Sequence, residues 1–103
     1  MSFSKQKGTA FETEIVQAHK KLGISAKRQP LSGAMDDYPC DVQISGLFGE
    51  CKRRRKGFSS LYKAIEQGKQ PADVLFVRDD HQKTLVVLPW STWVKFLKWA
   101  KIK

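Results

Sequence analysis

The sequence predicts one mixed α/β domain in which helices flank a mixed central β-sheet. The chain has 103 residues, enough for one domain but not two, and 41% of them are apolar. Three segments carry apolar residues at helical spacing, and five shorter runs have the patterns of strands. These elements follow the order α-β-β-β-α-β-β-α, which favours a sheet covered by helices. We therefore expect residues 1–103 to form a single domain.

The first half of the chain is predicted to hold one helix and three strands. Apolar residues recur every three or four positions over residues 8–23, and Gly23 suits the end of a helix. Ser45 and Gly46 suit a two-residue turn, so the runs on either side of them should form a β-hairpin. The predicted strands span residues 24–30, 40–44 and 47–54, with a loop over residues 31–39.

The second half is predicted to hold two helices around a pair of strands. Residues 58–69 have one apolar face, which indicates a helix. Two continuous apolar runs, residues 72–78 and 83–89, lie on either side of a polar turn, and we expect them to be buried strands. Ser91 is a suitable N-cap for a last helix. The residues expected to face inward from that helix are Trp93, Phe96, Leu97 and Ala100.

The charge of the chain points to a polyanionic partner. The formal net charge is +9 and the isoelectric point is near 9.8, which favours nucleic acid first and anionic membrane second. The longest apolar run, residues 84–90, is too short to span a bilayer, and no signal-like segment begins the chain. We expect an intracellular, cytoplasmic protein, whose small size would suit a viral or mobile-element origin. Two cysteines without a CxxC pattern disfavour zinc.

The predicted hairpin gathers its charged residues on one face. With Ser45 and Gly46 as the turn, regular pairing places Asp41 opposite Glu50, and Lys52 follows on the same side. Two opposed carboxylates are destabilising unless a cation compensates them, and Mg²⁺ accepts one or two carboxylates together with waters and phosphate oxygens. Lys52 would then lie near the scissile phosphate or the attacking water. This arrangement predicts metal-assisted phosphodiester hydrolysis.

A plainer interpretation of the same residues remains open. Short motifs match by chance, and the two acids would then be solvated strand residues neutralised by Lys52 and the neighbouring arginines. A register shift of one residue would also move the acids to opposite faces.

Several further motifs accompany the acids in a familiar order. They are K-G-x-x-x-E at residues 7–12, P-x-S-G at residues 30–33, the "PCDV" strand and the "GECK" strand. Together they resemble the PD-(D/E)XK nuclease superfamily, and within it the archaeal-type Holliday junction resolvases. The likeness continues more weakly through "DVLFVR" to Pro89. It differs at Thr13, where many members have an arginine, and at Pro39, which precedes Asp41 by two residues instead of one.

The resemblance implies a restriction-endonuclease-like core and a role for each matching residue. Asp41 and Glu50 match the metal-binding acids, and Lys52 matches the catalytic lysine. The backbone carbonyl of Cys51 would be a further ligand, and Glu12 would complete the site through water. The loop serine near the scissile phosphate corresponds to Ser32. Mg²⁺ is the implied cofactor, with Mn²⁺ as a substitute, and no small-molecule cofactor is expected.

Around this site we expect phosphate contacts from basic residues: Lys7, Arg28, Arg53, Arg54, Arg55 and Lys56. The leading hypothesis is a structure-selective DNA endonuclease, most consistent with a Holliday junction resolvase that works as a homodimer, since a four-way junction has two-fold symmetry. Two alternatives stay open. One is a repair or restriction-type nuclease that acts on duplex DNA, and the other is a DNA-binding protein without catalytic activity.

Overall fold

The computed structural model describes residues 3–29 and 40–103, with side chains from Gly8 onward in the first helix. The elements are α1 (Phe3–Lys21), β1 (Ala26–Arg28), β2 (Val42–Ile44), β3 (Leu47–Gly49), α2 (Ser59–Glu66), β4 (Leu75–Val77), β5 (Leu85–Val87) and α3 (Trp90–Trp99). The mixed α/β class and the predicted order of elements are confirmed. The strands pair into two antiparallel sheets, of three and two strands, and not into the single mixed sheet that was predicted. The restriction-endonuclease-like core stays a prediction.

The chain divides into two compact units, residues 1–53 with 102–103, and residues 54–101. The first unit holds α1 and the sheet β1-β2-β3, with β2 in the centre. α1 packs against β1 and β2. The apolar core of this unit consists of Val16, Ile24, Ala26, Val42 and Ile44, each at most 8% exposed.

α1 begins at Phe3, five residues before the predicted start, and ends at Lys21. Its end is a Schellman motif around Gly23, whose φ of 79° requires the freedom of glycine. The N–H of Gly23 donates to the carbonyl of Lys20, and the N–H of Ile24 donates to the carbonyl of His19. The predicted stop at Gly23 is therefore confirmed, and it brings Ile24 into the core immediately before β1.

The hairpin β2–β3 has the predicted register. Ile44 pairs with Leu47 and Val42 pairs with Gly49. Ser45 and Gly46 both have positive φ, 47° and 87°, as in a type I′ turn, whose twist matches that of the strands it joins. This turn fixes which side chains of β2 face the core.

The second unit holds α2, the antiparallel pair β4–β5, and α3. The prediction of two buried strands is wrong: Phe76 and Val86, which are cross-strand partners, are 68% and 57% exposed. Leu75, Val77 and Val87 lie on the other face and are half-buried. α2 packs against β4, so the ladder is covered on one side only.

α3 differs from its prediction at its start and on its buried face. Its N-cap is Pro89, not Ser91, and the N–H groups of Thr92 and Trp93 donate to the Pro89 carbonyl. Leu97 is buried as predicted. Phe96 is 44% exposed although its ring packs edge-to-face on Trp99, with the ring centroids 5.3 Å apart, and Ala100 is also exposed. Within residues 3–29 and 40–103, no helix is both long and apolar enough to cross a membrane.

Candidate active site

The candidate site lies where β2 and β3 leave their ladder, and close packing fixes this point. Val42 is 2% exposed, and its partner is Gly49. A Cβ on Gly49 would lie 2.9 Å from Cγ2 of Val42, closer than two carbon atoms pack. Glycine lets the two strands approach closely at the Val42–Gly49 pair. Asp41, which precedes Val42, and Glu50, which follows Gly49, therefore lie at the edge of the buried core.

Asp41 departs from the regular register. Its N–H donates to the carbonyl of Gly49 at 3.0 Å, although Gly49 is the partner of Val42. Two successive residues before and on β2 thus face one residue of β3, as in a β-bulge. The direct Asp41–Glu50 pair expected from a regular hairpin is therefore not formed, because the ladder ends at Val42 and Gly49. Bulges redirect side chains, and this one lies beside the candidate catalytic residues.

The carboxylate of Asp41 contacts the main chain that follows β3. Oδ2 of Asp41 accepts the N–H of Cys51 at 2.8 Å. On the other side of Asp41, its carbonyl accepts the N–H of Gln29 at 2.9 Å, which extends the β1–β2 pairing by one residue. Asp41 is thus anchored to both neighbouring strands, and its side chain is fixed against the backbone of "GECK".

Three carboxylates from separate elements act on the Cys51 thiol. The pKa of Cys51 is raised to about 11, first by burial and then by the negative charges of Asp41, Glu12 and Glu50, in that order. The three acids predicted to form the site therefore lie near enough to Cys51 for their charges to act on its thiol, although they lie up to 38 positions apart in the sequence.

Glu12 reaches the site from α1. Its side chain is only 8% exposed, and Oε2 accepts a hydrogen bond from Nη2 of Arg28 on β1 at 3.2 Å. A buried carboxylate needs such a partner to offset the loss of hydration. Arg28 was predicted as a phosphate contact, and its side chain is 41% exposed. Its guanidinium therefore neutralises Glu12 while part of it still faces solvent.

Glu50 and Lys52 form the exposed side of the site. Nζ of Lys52 lies 3.6 Å from Oε2 of Glu50, and the side chains of Lys52 and Glu50 are 66% and 51% exposed. Exposed ion pairs of this kind contribute little to stability, so both side chains remain available to another partner. The distance places the predicted catalytic lysine beside a predicted metal ligand.

The donor atoms of the site suit a hard cation. Asp41, Glu50 and Glu12 offer carboxylate oxygens, and Cys51 offers a carbonyl oxygen. The thiol of Cys51, with its pKa near 11, stays protonated at neutral pH and is a poor ligand. Among the residues that the structure describes, no three His, Cys, Asp or Glu side chains converge closely enough to hold an ion by themselves. Mg²⁺ typically takes one or two carboxylates and keeps several waters, so this donor set fits it.

The remaining predicted residues differ in how far the structure places them. Ser32 lies outside the described residues. Lys7 is part of α1, but its side chain lies outside the described part of the helix. The basic run at residues 53–56 is exposed throughout, and the boundary between the two units falls between Arg53 and Arg54. Arg53 therefore belongs to the unit that holds the acids, and the other three cations belong to the second unit.

Two features of the site were not predicted from the sequence. The pairing of Arg28 with Glu12 joins residues 16 positions apart, and only their positions on α1 and β1 bring them together. The bulge at Asp41 follows a positive φ of 64° at Cys40, a conformation unusual for a residue with a side chain. Neither has a local sequence signal, since the first joins residues on two separate elements and the second depends on where the β2–β3 ladder ends.

Comparison of the chain with models of protein families, with curated proteins and with solved structures gave no match.

Proposed function

We propose that the protein is a metal-dependent, structure-selective DNA endonuclease of the PD-(D/E)XK type, acting on four-way junctions. The observation that carries the proposal is the fixed Asp41 carboxylate, which accepts the Cys51 N–H at 2.8 Å, beside the segment on which Glu50 and Lys52 form an ion pair at 3.6 Å. Asp41, Glu50 and the buried Glu12 are acids in a chain of net charge +9. A divalent cation held between acids and phosphate would give them a common role.

Each residue then has a distinct task. Asp41 and Glu50 would hold Mg²⁺ together with the carbonyl of Cys51, and Glu12 would hold a water at the site. Bound Mg²⁺ polarises the phosphoryl group and lowers the pKa of water. Lys52, whose ammonium group pairs with Glu50, would orient the attacking water, and solvent water would take up the proton that is released. Asp41 is held in place by its bond to the Cys51 N–H, which limits the motion of one proposed ligand.

The proposed preference for junctions comes from the resemblance to the junction resolvases, and charge and symmetry are compatible with it. The basic residues contact phosphates, which recognise the shape of DNA without reading its sequence. A four-way junction offers two equivalent strands for cleavage. One junction therefore needs two catalytic sites, and the protein would act as a homodimer that supplies one site from each subunit. Exposed apolar side chains such as Leu85 and Trp99 are candidates for that contact. Light scattering of the protein in solution measures the dimer directly.

The decisive experiment compares cleavage of a four-way junction with cleavage of a linear duplex of the same sequence in Mg²⁺. We expect wild type to cut the junction, and EDTA to prevent cutting. Glu50→Gln should reduce the rate at least about 100-fold, the size of effect expected when a group that stabilises transition-state charge is removed. Binding should be retained or strengthened, because the substitution removes a negative charge near phosphate.

Glu14→Gln is the matched control. It makes the same change of charge on an exposed residue of α1 and should cut like wild type. Cleavage of the duplex as well as the junction would contradict the junction preference and identify a nuclease that acts on duplex DNA. Normal DNA binding by wild type without any cutting in Mg²⁺ or Mn²⁺ would refute the catalytic proposal and leave a DNA-binding protein.

A further inference from the structure

The second unit contains an open cavity lined mainly by apolar side chains. Its volume is about 510 Å³, and it lies between the apolar face of α2 and the segment that leads from β5 into α3. No residue of α2 is buried, although this helix has a strongly apolar face. The residues that matter here are Phe58, Leu61, Tyr62, Ile65, Glu66 and Trp90, and we call this space the aromatic cavity.

The walls of the aromatic cavity suit a flat, unsaturated ligand. Phe58, Tyr62 and Trp90 provide three rings, and Tyr62 and Trp90 are 65% and 44% exposed. Exposed aromatic side chains are the surfaces on which proteins stack unpaired bases, and the volume lies within the usual range for small-molecule sites, about 300–1,000 Å³. A single nucleobase is smaller than that volume and presents two faces for stacking.

Charge decides between a nucleobase and an apolar protein side chain as the occupant. Residues 54–101 contain ten Lys and Arg against four Asp and Glu. The guanidinium carbon of Arg54 lies 5.5 Å from the centroid of the Phe58 ring, so a cation packs on one residue of the cavity wall without lining the cavity itself. A nucleotide matches both features, since its base is apolar on its faces and its phosphate is anionic.

Glu66 is the one charged residue among the described residues that line the cavity. A carboxylate can accept a hydrogen bond from the exocyclic amino group of cytosine or adenine. We propose that the aromatic cavity binds one unstacked nucleobase of single-stranded DNA, with Arg54 on the neighbouring phosphate. The inference rests on the proposed function for its substrate, DNA, and adds a base-binding site in a different unit from the acids.

The test measures equilibrium binding by fluorescence anisotropy with two labelled probes, an oligodeoxycytidylate of about 12 nucleotides and a blunt duplex of similar length. Tyr62→Ala should weaken binding of the single strand about 5- to 100-fold, the effect of losing one base–aromatic stack. It should leave binding of the duplex within about twofold, since duplex bases are already stacked. Tyr62→Phe keeps the ring and should bind both probes like wild type.

Phe76→Ala is the matched control, because Phe76 is an equally exposed aromatic residue of the same unit that does not line the cavity. Both substitutions remove exposed rings, so circular dichroism should show folded proteins. The inference is overturned if Tyr62→Ala binds the single strand like wild type, or loses affinity for both probes equally. If wild type cuts the junction but Tyr62→Ala binds the single strand normally, the base-binding inference fails and the proposed function stands. If Tyr62→Ala weakens single-strand binding but wild type cuts nothing, the proposed catalysis fails and the base-binding site stands.

Discussion

Gly49→Ala tests whether the approach of β2 and β3 fixes the candidate site. The new Cβ would lie 2.9 Å from Cγ2 of Val42, against about 3.5–4.0 Å for a carbon contact at its optimum. Val42 cannot easily move, because it is 2% exposed and β-branched, with one preferred rotamer. Overpacking a core lowers the free energy of unfolding by about 1–3 kcal/mol. The lower conformational entropy of the unfolded chain with alanine offsets about 0.4–1 kcal/mol of this loss. The net loss should be about 1–2 kcal/mol.

Urea denaturation followed by circular dichroism at 222 nm measures this loss, since α1 lies in the same unit as the hairpin. With a slope typical of small domains, the midpoint should fall by about 1 M. Gly8→Ala is the control: it lies inside α1, a Cβ added there would meet no atom within 4 Å, and the change should stabilise by about 0.5–1 kcal/mol.

The double variant Val42→Ala/Gly49→Ala isolates the clash from other effects. Val42→Ala alone removes two buried methyl groups and should cost about 2–3 kcal/mol. With Val42 shortened, the alanine at position 49 has room, so the two effects should fall short of additivity by about 1 kcal/mol or more. A Gly49→Ala midpoint equal to that of wild type, or strict additivity in the double variant, would refute the reasoning.

Two further predictions concern the first unit. Arg28→Ala should lower the free energy of unfolding by about 1–2 kcal/mol, because the side chain of Glu12, 8% exposed, loses a charged partner that is itself partly solvated. Urea denaturation measures this loss, and a value below about 0.3 kcal/mol would contradict the pairing. Ser45→Asn should raise stability by about 0.5–1 kcal/mol, since asparagine tolerates the positive φ of this turn better than serine. Ser45→Val should lower it, and equal thermal midpoints for the two variants would show that the turn conformation is wrong.

The local patterns of the sequence were sufficient to predict the elements and the hairpin register. Gly23 ends α1 and Ser45-Gly46 forms the turn, because each signal depends on one or two residues with unusual backbone freedom. Burial was harder to predict. Phe76 and Val86 lie in a continuous apolar run, but hydrophobicity alone does not say how many faces of a strand are covered.

The candidate site shows the same division. That Lys52 and Glu50 lie side by side could be predicted from the hairpin pattern. The hydrogen bonds of Asp41 and the Arg28–Glu12 contact could not, because the first depend on where the β2–β3 ladder ends and the second joins residues 16 positions apart. A regular hairpin predicts two opposed carboxylates, whereas the structure separates them by directing Asp41 onto the main chain at Cys51.

All three tryptophans, at positions 90, 93 and 99, lie in the unit of residues 54–101, and residues 1–53 contain none. Intrinsic tryptophan emission of this protein is therefore a selective optical probe of one unit. Trp90 lines the aromatic cavity, so a ligand that enters it should quench part of that emission. An ion that binds at the acids acts in the unit that carries no tryptophan. Quenching of this emission is therefore a signal expected of a ligand in the aromatic cavity, with no label on the protein.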